Sequence, residues 1–193
     1  MSERPLDVRA KRSRSQLIGA LRAQLHERDP REITVSSVCT EAGLSRPTFY
    51  QHFASLDELA VAGIEQRLAE LDPGAPIDAR PTSYEAVVRF LDELASDRGV
   101  YRQVIGSDAI FSGPRDAVED WLVVRLIEDH DGPVEDPSSI RFAAGGILSL
   151  VRGWLLQEPD DRDRPTSKEL ADDLWRLASL IVGGTGPPDH ALG

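Results

Sequence analysis

The chain has 193 residues, of which 40% are hydrophobic and 28% charged. Its 15 Gly and 13 Pro follow no repeat, which excludes a collagen-like, low-complexity or wholly disordered polypeptide. A formal charge of −11 argues against a protein that coats nucleic acid or anionic membrane non-specifically. The charge is unevenly placed. Residues 1–53 carry nine basic and six acidic groups, a net of +3, and residues 54–193 carry the remaining 13 and 27, a net of −14. The single cysteine, Cys39, excludes an intramolecular disulfide and sits among apolar positions, as a small core residue does. Four isolated histidines lack the spacing of a zinc site. The first residues have no apolar core of the kind a signal peptide needs, and the uncharged, largely apolar run Phe142–Val151 is about half a membrane span. These features predict a cytoplasmic protein with no membrane partner.

The helical period runs through the chain. Leu17, Ile18, Leu21 and Leu25 form one stripe of a first helix over Lys11–Glu27, ended by Asp29-Pro30. Thr34 reads as the cap of a short helix with Val35, Val38, Cys39 and Ala42 on its apolar side, stopped by Gly43. Ser45 caps a third helix whose inward side is Phe49 and Phe53. A fourth opens on Asp57 and Glu58 and carries Leu59, Ile64, Leu68 and Leu71. The run Asp72-Pro-Gly-Ala-Pro breaks it. Further helices follow Ser83, span Arg98–Ile105 and start near Pro114. The segment Ile140–Leu156 is apolar nearly all round, predicting burial on most sides. Thr166-Ser-Lys-Glu169 is a capping-box pattern before Leu170, Leu174, Leu177 and Ile181, which repeat as a seam between helices. The fold class is all-α, with about nine helices.

The segment Thr34–Phe53 carries the functional signal. Two short helices joined at a glycine form a helix-turn-helix, with Gly43 permitting the turn and Leu44 plugging the angle. Val38, Phe49 and Phe53 pack beneath. The second helix then shows Arg46, Pro47, Thr48, Tyr50, Gln51 and His52, donors and flat rings suited to phosphates and base edges. Arg9, Lys11, Arg12, Arg14 and Arg22 add a basic first helix and arm.

From about Lys11 to Ile64 the chain resembles the DNA-binding domain of the tetracycline-repressor-type (TetR) family of bacterial transcription regulators. The residues that carry the resemblance are Ala42-Gly43-Leu44-Ser45, Thr48-Phe49-Tyr50, His52-Phe53, Ser55 and the opening Asp57-Glu58-Leu59. It implies a helix-turn-helix domain over 1–55, a helical effector-binding and dimerisation domain over 56–185 and a tail over 186–193. DNA contacts would come from Thr34, Ser36, Ser45, Arg46, Pro47, Thr48, Tyr50, Gln51 and His52, with Ser37 beside phosphate. The arm residues Arg9, Lys11, Arg12 and Arg14 would follow the backbone or minor groove. One departure stands out: where the family usually opens its fourth helix with a lysine, this chain has Leu56, which implies either a lower operator affinity or a phosphate held by the helix amides alone.

The resemblance further implies a homodimer on a palindromic operator in double-stranded DNA, probing two half-sites about 34–36 Å apart. Leu148, Val151, Leu155, Leu170, Leu174, Leu177 and Ile181 are the expected dimer interface. Ile64, Leu68, Phe90, Tyr101, Ile105, Phe111, Trp121 and Phe142 are the expected lining of a pocket for an unknown small-molecule effector. Effector binding would move the fourth helix and release DNA, as in a repressor. No cofactor or metal is implied, and no paired carboxylates, metal ligands or nucleophile motif speak for an enzyme. The alternative is a divergent member acting mainly as a ligand-binding or protein-interaction module with weak DNA binding. An acidic body would also repel DNA everywhere except at the basic domain.

Overall fold

A computed structural model describes residues 5–71, 83–106, 109–128, 137–158 and 161–182. Nine α-helices and one 3-10 turn make up these residues, with no strand among them. The loop expected at Asp72-Pro-Gly-Ala-Pro, all but the last residue of a loop expected over Asp129–Pro137, and the tail expected over 186–193 lie outside the described residues.

Helix α1 (Pro5–Glu27) begins six residues before the sequence expectation. Proline at the first helical position loses nothing, because that N–H has no intrahelical partner. Leu17, Leu21 and Leu25 are buried along one side. A 3-10 turn (Pro30–Glu32) follows, capped by Asp29, whose carboxylate accepts from Arg31 N at 2.8 Å. Helix α2 (Val35–Ala42) opens on a reciprocal capping box. Thr34 Oγ1 accepts from Ser37 N at 3.1 Å, and Ser37 Oγ accepts from Thr34 N at 3.0 Å. It closes at Gly43, at φ +65°, the only left-handed residue among those described.

Helix α3 is five residues long, Arg46–Tyr50, with Ser45 Oγ accepting from Thr48 N at 3.2 Å. Phe49 and Phe53 are buried side by side, ring centroids 5.9 Å apart, and share the core with Leu17 and Val38. Helix α4 (Leu56–Leu71) starts at Ser55, whose Oγ accepts from Glu58 N, while Glu58 accepts from Ala54 N.

Helices α5 (Ser83–Ser96), α6 (Arg98–Ile105), α7 (Gly113–Glu128), α8 (Pro137–Leu156) and α9 (Ser167–Val182) form the helical body. The most extensive pairing is α4 against α7, and α7–α8, α5–α9 and α8–α9 pack around the same core. Arg98 Nε donates to Leu155 O at 2.9 Å, placing a cation at the negative end of α8. Thr166 and Glu169 cap α9 reciprocally, as the sequence pattern predicts.

Burial of α8 departs from the expectation. Ile140, Ala144, Leu148, Val151 and Leu155 face the core, but Phe142 is 72% exposed and Leu150 48%. The neighbours α6, α7 and α9 cover only one side of the helix, leaving an apolar face open. Among the described residues α8 alone is long and apolar enough to cross a membrane by length and composition.

At Gly43 an added Cβ meets nothing within 4 Å, so only backbone strain opposes substitution. Gly43→Ala is expected to cost about 1–2 kcal/mol in urea unfolding, and Gly43→Asn less, because asparagine tolerates the left-handed region better. Equal losses would place the cost in packing instead.

Candidate nucleic-acid interface

The short third helix exposes one side and buries the other. Arg46 and Tyr50, and Pro47 and Gln51, are four apart and share helical faces, and all four are exposed. Thr48 and His52 are half-buried, and Ser45 at the cap is exposed. On α2, Thr34 and Ser36 are exposed. Arg9, Lys11, Arg12 and Arg14 are exposed along α1, and the Arg14 guanidinium lies 4.8 Å from the centre of the Phe53 ring. The expected DNA-facing residues therefore lie on solvent-accessible parts of α1, α2 and α3.

Two expected contacts are otherwise engaged. Ser37 Oγ donates to Gln24 Oε1 at 2.7 Å, within the cap of α2, so its hydroxyl is spent inside the domain. Gln24 is itself buried, which makes that bond the partner a buried amide requires. Arg22 belongs to the body rather than the arm. Its Nε and an Nη donate to Asp97 Oδ2 at 3.0 and 2.7 Å, joining α1 to the start of α6. At α4, Leu56 packs partly against the core. Of the amides expected to compensate for it, that of Glu58 is taken by Ser55 Oγ, and the carboxylates of Asp57 and Glu58 add negative charge there, Glu58 accepting from Ala54 N just before the helix.

The helical body redistributes the expected pocket. Only Ile64 and Tyr101 of the expected lining border a cavity of about 240 Å3, which lies between α1, α4 and α6. Leu68, Ile105 and Phe111 are packed into the continuous core. Phe90 is buried and Trp121 partly buried against it, ring centroids 5.3 Å apart. Phe142 points outward from α8, because its position falls opposite Ala144 and Leu148 on the helix. Of the expected dimer residues, Leu148, Val151, Leu155, Leu170 and Leu174 are buried inside the protomer. Leu177 and Ile181 are 43% and 42% exposed, and Leu180 is 78% exposed beside them.

Three functional placements had no signal in the sequence pattern. Asp57, the second residue of α4, accepts from Ser112 N at 2.8 Å and more loosely from Gly113 N, so it caps the N-terminus of α7. Gly113 is needed there: an added Cβ would stand 2.5 Å from Val61 Cγ2 and 2.7 Å from Asp57 Oδ2. Tyr101 OH donates to Glu93 Oε1 at 2.7 Å, and burial together with that carboxylate raises the hydroxyl's pKa and keeps its proton in place. Arg125 is 8% exposed, with its guanidinium carbon 5.8 Å from the Trp121 ring centre and an Nη 3.1 Å from Glu128.

An all-helical chain that presents a short, capped helix beyond a glycine turn, with a basic first helix behind it, is a helix-turn-helix DNA-binding protein. Residues 17–62 match the model of the bacterial regulatory proteins of the tetR family. The HTH-type transcriptional activator FasR of Mycolicibacterium smegmatis is 26% identical over 174 residues, 82% of this chain and 77% of that protein. Among solved structures, a TetR transcriptional regulator from Streptococcus agalactiae superposes with a TM-score of 0.63 at 21% identity, covering 91% of this chain and 97% of that one. Another from Rhodococcus sp. RHA1 gives 0.62 at 18% identity, covering 91% and 98%. The match to the tetR family model covers the helix-turn-helix and its flanks, and the fold shared with solved TetR regulators extends over 91% of the chain.

Replacing the cap of α7 isolates the α4–α7 contact. Asp57→Ala is expected to lower stability by about 1 kcal/mol in urea unfolding, within the range for lost helix caps. Asp57→Asn keeps an acceptor and is expected to recover most of it; an unchanged midpoint in Asp57→Ala would contradict the assigned contact.

Proposed function

We propose that this regulator binds a palindromic operator as a homodimer and is released from it by a small-molecule effector. Residues 1–55 form the DNA reader, residues 56–185 sense the effector and dimerise, and 186–193 are a tail. The observation that carries the reading is the exposed face of α3, where Arg46, Pro47, Tyr50 and Gln51 stand clear while Phe49 anchors the helix from behind. In this reading the N-terminal turn of α3 enters the major groove and Arg46 reaches base edges, with Thr48 and Gln51 beside it. Ser45, Tyr50, His52, Thr34 and Ser36 meet the backbone, and Arg9, Lys11, Arg12 and Arg14 neutralise phosphates nearby.

The dimer is supported by the uncovered apolar face on α8 and α9. Phe142, Gly146, Ser149, Leu150 and Gly153 follow one exposed side of α8 at steps of three and four, and Leu177, Leu180 and Ile181 are exposed near the end of α9. Added Cβ atoms at Gly146 and Gly153 meet nothing within 4 Å, so a second helix has room to approach closely. A large exposed apolar surface of this kind marks an interface. The dimer surface is therefore assigned to these residues rather than to the leucines buried inside the protomer.

Release works as a population shift. An effector that prefers one arrangement of α4 changes the alignment of the two readers, by no more than its differential affinity for the two states. Whether release raises or lowers transcription depends on where the operator lies relative to the promoter. The relative from M. smegmatis is named an activator; if this chain acts as one, release would switch its target off.

Duplex binding measured by fluorescence anisotropy across a salt series tests the reader. A falling log K with log salt is expected, and Arg12→Ala with Arg14→Ala should flatten the slope by about 1 per lost phosphate contact. On a preferred sequence, Arg46→Ala should cost about 1–3 kcal/mol. No salt slope would sink the reader assignment. For the dimer, sedimentation velocity should show Leu180→Asp as a folded monomer and the parent chain as a dimer; a monomeric parent chain would remove the two-fold model.

A further inference from the structure

The cavity between α1, α4 and α6 has walls of apolar side chains, among them Ile18 and Leu25 from α1, Leu59 and Ile64 from α4, and Val100 and Val104 from α6. Two glycines make its room. Gly19 lies on α1 and Gly63 on α4, both lining the cavity and both well inside their helices. An added Cβ at Gly19 meets nothing within 4 Å, and one at Gly63 meets only Ile18 Cγ2 at an ordinary 3.6 Å. Neither glycine has a positive φ. Glycine is less favourable than alanine in a helix interior, and here neither backbone conformation nor close packing requires it. What the two residues provide is space.

The two arginines on the lining, Arg22 and Arg67, are already paired with carboxylates. Arg22 is held by Asp97 and lies 3.7 Å from Glu93. Arg67 bonds Glu70 and lies 3.4 Å from Glu93, which also accepts from Tyr101 OH. A carboxylate ligand would have to strip an arginine from its partner, and a cationic ligand would meet two arginines and no carboxylate on the lining. A neutral molecule disturbs neither. A cavity of ~150 Å3 accommodates benzene, so about 240 Å3 suits a neutral molecule of roughly ten non-hydrogen atoms.

We propose that this cleft is a binding site for a small, neutral, largely apolar molecule, and that its occupancy alters DNA binding. The proposal rests on the effector-responsive reading above and places the effector at the junction of reader and body rather than within the interior around Phe90 and Trp121. The position gives it leverage. One wall is α1, whose Leu17 packs in the reader core with Val38 and Phe49, and another is α4, which leads directly out of the reader. The third is α6, tied to α1 by the Arg22–Asp97 pair. A molecule lodged between them favours whichever state holds the three helices at the width it fills.

The test uses the full chain, with indole as the neutral probe and indole-3-carboxylate as its charged counterpart. Methyl NMR titration is expected to show saturable indole binding, with shifts at Ile18, Ile64 and Val104 and none in the region of Phe90 and Trp121. Indole-3-carboxylate should bind at least tenfold more weakly. Gly63→Leu and, from the other wall, Gly19→Leu should each weaken indole at least tenfold without lowering the melting temperature. Indole should change duplex affinity at least threefold in the parent chain and leave it unchanged in these variants. Absence of saturable binding, equal binding of the two probes, or parent-like binding in both well-folded variants overturns the site. Saturation of the cleft with unchanged duplex affinity overturns its regulatory role. A duplex response to indole with shifts centred on Phe90 and Trp121 overturns the cleft and leaves the effector-responsive reading standing. Loss of duplex binding under every condition defeats that earlier reading, while the titration still decides the cleft.

Discussion

Helix α3 has five residues, too few to hold a helical conformation unaided, since forming even the first turn is unfavourable in an isolated peptide. Its existence and direction come from elsewhere: Ser45 closes its first turn, and Phe49 and Phe53 fix it to Leu17 and Val38. The reading surface therefore has no orientation of its own. Arg46, Tyr50 and Gln51 go wherever the buried phenylalanines and the two flanking helices place them. Any change in how α1 and α4 sit becomes a change at the exposed side chains of α3.

That dependence gives the contacts of α1 and α4 with the body their meaning. Helix α4 packs most extensively on α7, and Asp57 at its start caps α7 with a carboxylate placed against a helix N-terminus. Helix α1 is joined to the body by Arg22 and Asp97, and a cavity remains between the two attachments. The junction thus combines apolar packing with a few polar contacts and includes one incompletely filled apolar cleft. Such a junction can take two arrangements of similar energy more readily than a fully packed core can.

Local chemistry was legible in the sequence. The Thr34 cap, the Gly43 stop, the Ser45 cap, the bounds of α6 and the Thr166–Glu169 box each depend on a few consecutive residues, and each is where the pattern places it. Relations over long separations were not legible. Arg22 reads as part of a basic arm until Asp97, 75 residues on, is seen to hold it. Asp57 reads as an acidic first turn, and its partners at Ser112 and Gly113 follow from tertiary packing alone. The heptad-like seam in α9 identifies an apolar side but not which helix meets it: Leu170 and Leu174 face the protomer's own core, while Leu177 and Ile181 extend onto an uncovered face. In α8 the apolar residues run on both sides, so periodicity could not separate Leu148 from Phe142.

The uneven charge acquires a physical role in this arrangement. A net +3 in the first 53 residues beside −14 in the rest means that the exposed arginines of α1 and α3 are the part of the chain to which a polyanion is drawn. Under the proposed function, attraction and reading are confined to one end, and two-fold pairing through the other end would set the spacing between copies. Selection of bound sequences from random duplex DNA tests this most directly. The account predicts enrichment of an inverted repeat with half-site centres about one helical turn or slightly more apart, ~34–36 Å. Recovery of a single unpaired motif, or no enrichment over the starting pool, would contradict it.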